Sequence, residues 1–163
     1  MNWRDELNDV FFDRENVTKS YIRDELKKYY LYMSDYLDVK NKLHLLGIKY
    51  AGYLDDPVNT TSFIKVGDKA TESKNRVVEW EGEIYETKAT IKALENKMDE
   101  LDSWLNCLND SYREIVKNYV CKRGCTGSLE VAEEMTYSQS HVLQATKTAI
   151  DRIYLNFFVK NTV

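Results

Sequence analysis

The chain has 163 residues, with 23 Lys and Arg against 27 Asp and Glu for a net charge of −4, and it holds one proline and six glycines. That length suits one domain or two small ones sharing a core, and so few turn residues exclude a barrel or sandwich, whose turns recur every ~8–12 residues. No apolar run approaches the ~20 residues of a membrane span, and the acidic opening MNWRDELNDVFF lacks the order of a signal peptide, so a cytoplasmic, non-membrane protein is expected.

An all-α fold is expected, because apolar residues return at helical spacing almost throughout. Residues 1–16 carry a short amphipathic pattern, with Trp3, Leu7, Val10 and Phe11 on one face. Asn16-Val17-Thr18 then precede a long predicted helix through Leu46. In it Ile22, Leu26, Tyr29, Met33, Tyr36 and Leu43 keep a 4-3-4-3 spacing, Lys40 fills the missing seam position, and Gly47 serves as the C-terminal stop. From about 47 to 75 the periodicity is lost around Gly52, Pro57 and Gly67, which predicts a long loop.

The strongest pattern follows. Val77, Trp80, Ile84, Thr87, Ile91, Leu94, Met98, Leu101, Leu105 and Leu108 repeat every three or four residues, and only Thr87 among them is polar. Such a heptad repeat predicts a left-handed coiled coil, on a helix of about 30 residues and roughly 45 Å. Its partner is either the 18–46 helix folded back, the same helix of a second chain, or both. A homodimer is expected, with Trp80, Ile84, Ile91, Leu94, Met98 and Leu101 at the interface. The acidic charge belongs to this half: residues 1–103 sum to −5 and residues 104–163 to +1.

Beyond Leu108, Asn109-Asp110-Ser111 caps a predicted helix with Ile115, Val116, Tyr119 and Val120 inward, ended by Gly124-Cys125-Thr126-Gly127. Ser128 begins LEVAEEM, Thr136-Tyr137 make a turn, and Ser138 caps a last helix with Val142, Ala145, Ala149, Ile150 and Ile153 on its buried stripe. Ala132 falls where two such helices cross and only a small side chain fits. The expected organisation is therefore a coiled-coil and dimerisation region, 1–108, followed by a helix-turn-helix domain, 109–163.

The stretches YREIVKNYV, VAEEMTYSQSHV and AIDRIY resemble the region-4-type helix-turn-helix of sigma factors. More closely, they resemble the ArpU/RinA/LtrC-type regulators of phage late genes, whose long N-terminal helix, variable loop and heptad helix are also similar in layout. The resemblance is specific over about the last 60 residues and architectural before them. It implies a cytoplasmic regulator in a bacterial host that binds double-stranded promoter DNA. Ser138 would cap the recognition helix. Gln139, Ser140, His141 and Gln144 would meet bases or phosphates, and Lys147, Lys122 and Arg123 would meet backbone phosphate. The chain departs from the family in having Gln139, His141 and Leu143 where basic residues are usual. Two other readings stand beside this one: a modulator that binds a related phage regulator or RNA polymerase, and a small packaging-terminase subunit.

No enzymatic chemistry, cofactor or metal is expected. There is no glycine-rich phosphate loop and no nucleophile with an evident histidine partner. The three cysteines, Cys107, Cys121 and Cys125, are odd in number and not in ligand-like spacing with His44 or His141, so they are expected to be reduced and partly buried. Glu130, Glu133 and Glu134 read as a solvated helix face, and the apolar ends around Trp3, Phe11, Phe12, Phe157, Phe158 and Val159 as docking onto the chain's own bundle.

Overall fold

Apolar residues returning every three or four positions fold here into helices alone. The computed structural model describes residues 3–55 and 67–159, with side chains described over 13–52 and 76–159. Among them the order is α1 (Trp3–Lys27), α2 (Tyr29–Asp55), α3 (Gly67–Asn106), α4 (Asp110–Val116), α5 (Ser128–Met135) and α6 (Gln139–Tyr154). Two five-residue π-helical segments, Lys117–Cys121 and Leu155–Val159, extend α4 and α6. None of these helices is long and apolar enough to cross a membrane.

Three expected boundaries differ. Residues 16–18 do not begin a helix, because the Thr18 hydroxyl donates to the Arg14 carbonyl one turn back (2.8 Å) and α1 runs straight through. The interruption falls instead at Lys28, whose amide donates to the Glu25 carbonyl at 3.0 Å, and Tyr32 Oη donates to the buried Glu25 carboxylate at 2.7 Å. Gly47 lies inside α2, which continues to Asp55, and α3 already starts at Gly67. Of the expected loop at 47–75, residues 47–55 and 67–75 are helical and 56–66 lies outside the described residues, as do the side chains of Trp3, Leu7, Val10, Phe11 and Phe12.

The chain divides into two compact units, one of Met1–Tyr32 with Met98–Val163, the other of Met33–Lys97. The expected boundary at residue 108 does not coincide with theirs. In the first unit, Ile22 and Leu26 of α1 share a core with Leu101, Trp104 and Leu105 of α3, Ile115, Val116 and Val120 of α4 and its extension, Val131 and Ala132 of α5, and Val142, Ala149 and Ile153 of α6. Trp104 is 1 % exposed. Its ring meets Tyr21 edge-on (6.4 Å between centroids) and Phe158 at 5.9 Å, so Phe158 packs into the chain's own core, as expected of that end. The α3–α4 corner is closed from both sides. Asn109 Oδ1 accepts from the Tyr112 amide (2.8 Å), while Arg113 donates to the Leu105 and Leu108 carbonyls at 3.1 and 3.0 Å, the Leu105 carbonyl also accepting from the Leu108 amide at 3.1 Å.

In the second unit α2 and α3 run antiparallel. Tyr36 donates to Glu95 and Tyr50 to Glu81, so the partner moves back along α3 as fast as α2 advances. The α2 seam is Tyr36, Val39, Leu43, Leu46 and Tyr50, all buried or half-buried, and not the phase through Lys40. Lys40 is exposed, its ammonium 4.9 Å from the Tyr36 ring centroid. The chosen phase places Val39 and Leu46 inward where the other would place Lys40 and Gly47, and apolar burial decides between them. On α3, Thr87 and Ile91 are buried, and Trp80, Ile84 and Leu94 are half-buried. Tyr36 and Tyr50 place α2 beside this stretch of α3. The heptad stripe is therefore covered, at least in part, within one chain.

Candidate functional site

Residues 128–154 form a corner of two helices whose turn is held at both ends. Thr136 takes the left-handed conformation (φ 58°). Its amide and that of Tyr137 return to the Glu133 and Ala132 carbonyls at 3.4 and 2.9 Å, the paired bonds that close a helix in a Schellman turn. Ser138 then opens α6 in extended backbone, its Oγ accepting from the His141 amide at 3.2 Å. Ala132, 2 % exposed, sits beneath the crossing.

With Val142, Ala145, Thr146, Ala149, Ile150 and Ile153 buried, the outward face of α6 is fixed. Ser140, Leu143, Gln144 and Lys147 stand on it, all exposed. Ser140 Oγ also lies 3.3 Å from Ser138 Oγ, and three further expected contact residues, Gln139, His141 and Arg123, are engaged within the chain. Gln139 Nε2 donates to Ser128 Oγ (2.9 Å), tying the start of α6 to the start of α5. His141 packs its ring on Tyr137 at 4.6 Å, and Tyr137 Oη lies 3.2 Å from Ser111 Oγ. Arg123 pairs with Glu134 at 2.9 Å, whereas Lys122 is exposed. Ser140, Gln144, Lys147 and Lys122 are thus presented to solvent, Ser138 caps, and Gln139, His141 and Arg123 brace the corner. The bracing role of Tyr137 was not foreseen from sequence; an aromatic residue four positions before a histidine is too common to signal it.

The expected interface residues are divided between the two units. Leu101 is fully buried in the first, Met98 is half-buried there, and Ile91 is buried in the second. Among the described residues no group of three or more His, Cys, Asp or Glu is placed to hold a metal ion. Burial pushes the Cys121 thiol up from 9.0 to about 12, against the opposing pull of Lys117, which keeps it protonated and unreactive near neutral pH.

Such a corner offers hydrogen-bond donors and acceptors on the exposed face of a capped helix. No protein-family model, curated protein or solved structure matches the chain.

Proposed function

We propose that the chain is a double-stranded DNA-binding transcription regulator, with α5 and α6 as a helix-turn-helix and α6 as its recognition helix. The supporting observation is the exposed stripe Ser140, Gln144 and Lys147 on a helix whose start is fixed by the Ser138 cap and the Gln139–Ser128 bond. Glutamine can bond adenine through two atoms, serine can bond several bases, and lysine neutralises phosphate. The resemblance to ArpU/RinA/LtrC-type proteins supports activation of late or packaging genes of a phage or related mobile element as the setting. In this proposal two chains associate through the half-covered Trp80, Ile84 and Leu94, doubling the phosphate contacts of a weakly basic module.

Gel shifts against the promoter fragments of the source genome, at stated salt, test this. A preferred fragment bound at low micromolar dimer is expected. Gln144→Ala should relax preference at one base pair by about 1–3 kcal/mol, and Lys122→Ala should weaken all sequences alike. Identical behaviour of the two variants would remove α6 from the recognition role. Sedimentation as a monomer at tens of micromolar would remove the dimer.

One observation favours a second proposal, a modulator that binds a related regulator or RNA polymerase. Leu143 is 46 % exposed in the middle of the outward face of α6, where a protein partner would cover it. Nuclease-resistant capture of such a partner, with no preferred DNA fragment, would select it.

A further inference from the structure

Helix α6 does not stand alone. Helix α1, more than a hundred residues earlier in sequence, lies against it. Lys19 Nζ reaches Asp151 Oδ1 of α6 at 2.9 Å and Glu15 Oε1 of its own helix at 2.7 Å, and stands 5.3 Å from the Tyr154 ring centroid. Next to this pin, Asn16, Ser20 and Arg23 line a cleft with Lys147 and Ile150. Asn16, Ser20, Arg23 and Lys27 follow the spacing i, i+4, i+7, i+11, which is one helical stripe, and all four are exposed. The stripe lies away from Ile22 and Leu26, which enter the core. Its far end reaches the corner between α4 and α5, because Arg23 and Lys27 both stand near enough to Cys125 to oppose the effect of burial on its thiol.

We propose that this stripe of α1 is a phosphate-contacting flank of the same DNA surface, with Asn16, Ser20, Arg23 and Lys27 gripping one strand's backbone beside the groove that α6 reads. The assignment rests on the DNA-binding role of α6. The side-chain types are those that meet phosphate oxygens and carry no base information. The charges agree: Lys19, Arg23 and Lys147 line the cleft against the single carboxylate of Asp151, with Glu15 beside Lys19, and among the described residues Arg23 and Lys147 form no ion pair while Lys27 makes a long 3.8 Å contact to Asp24. The length agrees as well. Asn16 to Lys27 spans about 16 Å of helix, the axial reach of four or five phosphates on one strand. A chain whose C-terminal part is almost neutral thereby gains phosphate contacts from its N-terminal helix.

The test uses the full chain, its preferred promoter duplex and an unrelated duplex, with anisotropy titrations between about 50 and 200 mM salt. The double variant Arg23→Gln/Lys27→Gln should weaken both duplexes by the same factor. The slope of log affinity against log salt should fall by about 1.8, since each phosphate contact contributes about 0.9. Gln144→Ala should change the preference and leave the slope. Lys92→Gln, on an exposed site of α3 in the other unit, should change neither. Wild-type slope and affinity in the double variant would overturn the α1 assignment while leaving α6 as the reader, and would give the stripe to another partner. An equal loss in Lys92→Gln would overturn it too, as a general effect of charge. No DNA binding by the wild-type chain would overturn both.

Discussion

Replacing Leu26 by alanine asks whether α1 belongs to the fold of the C-terminal helices. Leu26 is 0 % exposed, as is Ile22 one turn before it, and both contribute to the core that also holds Trp104, Val142 and Ile153. Losing the transfer free energy of the removed carbons and leaving a cavity costs about 2–5 kcal/mol for a Leu→Ala change. Leu26 has no solvent edge into which the site could relax, which places the expected loss at about 3–4 kcal/mol. With a urea dependence of about 2 kcal/mol per molar, the midpoint should fall by about 1.5–2 M. Far-UV dichroism follows the midpoint, and amide exchange of α6 shows whether helices more than a hundred residues away lose protection with it. Leu37→Ala, at a position 63 % exposed, is the control and should stay within about 0.5 kcal/mol. A midpoint in Leu26→Ala as close to wild type as that of Leu37→Ala, with α6 protection intact, would refute a core shared between α1 and α4–α6.

The remaining predictions concern the corners and the alkaline limb. Thr136 holds a left-handed φ of 58°, a conformation that costs a non-glycine residue about 1–2 kcal/mol, so Thr136→Gly should raise the melting temperature; a lower one would show that the Thr136 Oγ1 bond to the Met135 carbonyl matters more than the strain. Arg113→Ala removes the guanidinium donors to the Leu108 and Leu105 carbonyls, leaving Leu105 its bond from the Leu108 amide, and should destabilise the first unit by about 1–3 kcal/mol in urea, with Arg113→Lys recovering only part. The folded state holds the Cys121 proton up to about pH 12 whereas an unburied thiol releases it near 9.0, so above pH 9 the unfolded state binds fewer protons and stability falls as pH rises. Urea titrations from pH 7 to 10.5 should show that fall, and Cys121→Ala should flatten it; equal slopes would place the alkaline loss elsewhere, with Tyr29, whose hydroxyl is also raised by burial and its bond to Asp102, the next candidate.

How far the fold was legible depended on what each residue's neighbours were. Periodicity alone located the buried faces of α4 and α6, because Ile115, Val116, Val142, Ala149 and Ile153 lie on short helices with one apolar side. The same pattern misplaced the limits of α1 and α2. Thr18 looks like a cap in sequence, yet its hydroxyl finds a carbonyl inside the helix, and Gly47 looks like a stop, yet the seam through Leu46 and Tyr50 carries α2 past it. Two phases fitted the α2 pattern equally as far as Tyr36. Only the alternatives at the next turns, Val39 against Lys40 and Leu46 against Gly47, separate them, and weighing those requires knowing that α3 lies opposite. The antiparallel pairing itself was not legible, since it rests on Tyr36–Glu95 and Tyr50–Glu81, contacts between residues 59 and 31 positions apart.

The candidate site was legible in its frame and less so in its working surface. The Ser138 cap, the turn at Thr136 and the small Ala132 are local features that short-range rules detect. Which polar side chains face outward unengaged is a tertiary matter. Gln139 and Arg123 are as polar as Gln144 and Lys122, but Ser128 and Glu134 stand within reach of the first two. The same logic explains why α1 was missed. Asn16, Ser20, Arg23 and Lys27 read in sequence as an ordinary solvated face, which most such stripes are. Their meaning comes from Lys19, which bonds Asp151 and so sets that face beside Lys147. A net charge of +1 over residues 104–163 therefore understates the cations around α6, because a surface assembled from both ends of a chain has no single segment over which to count them.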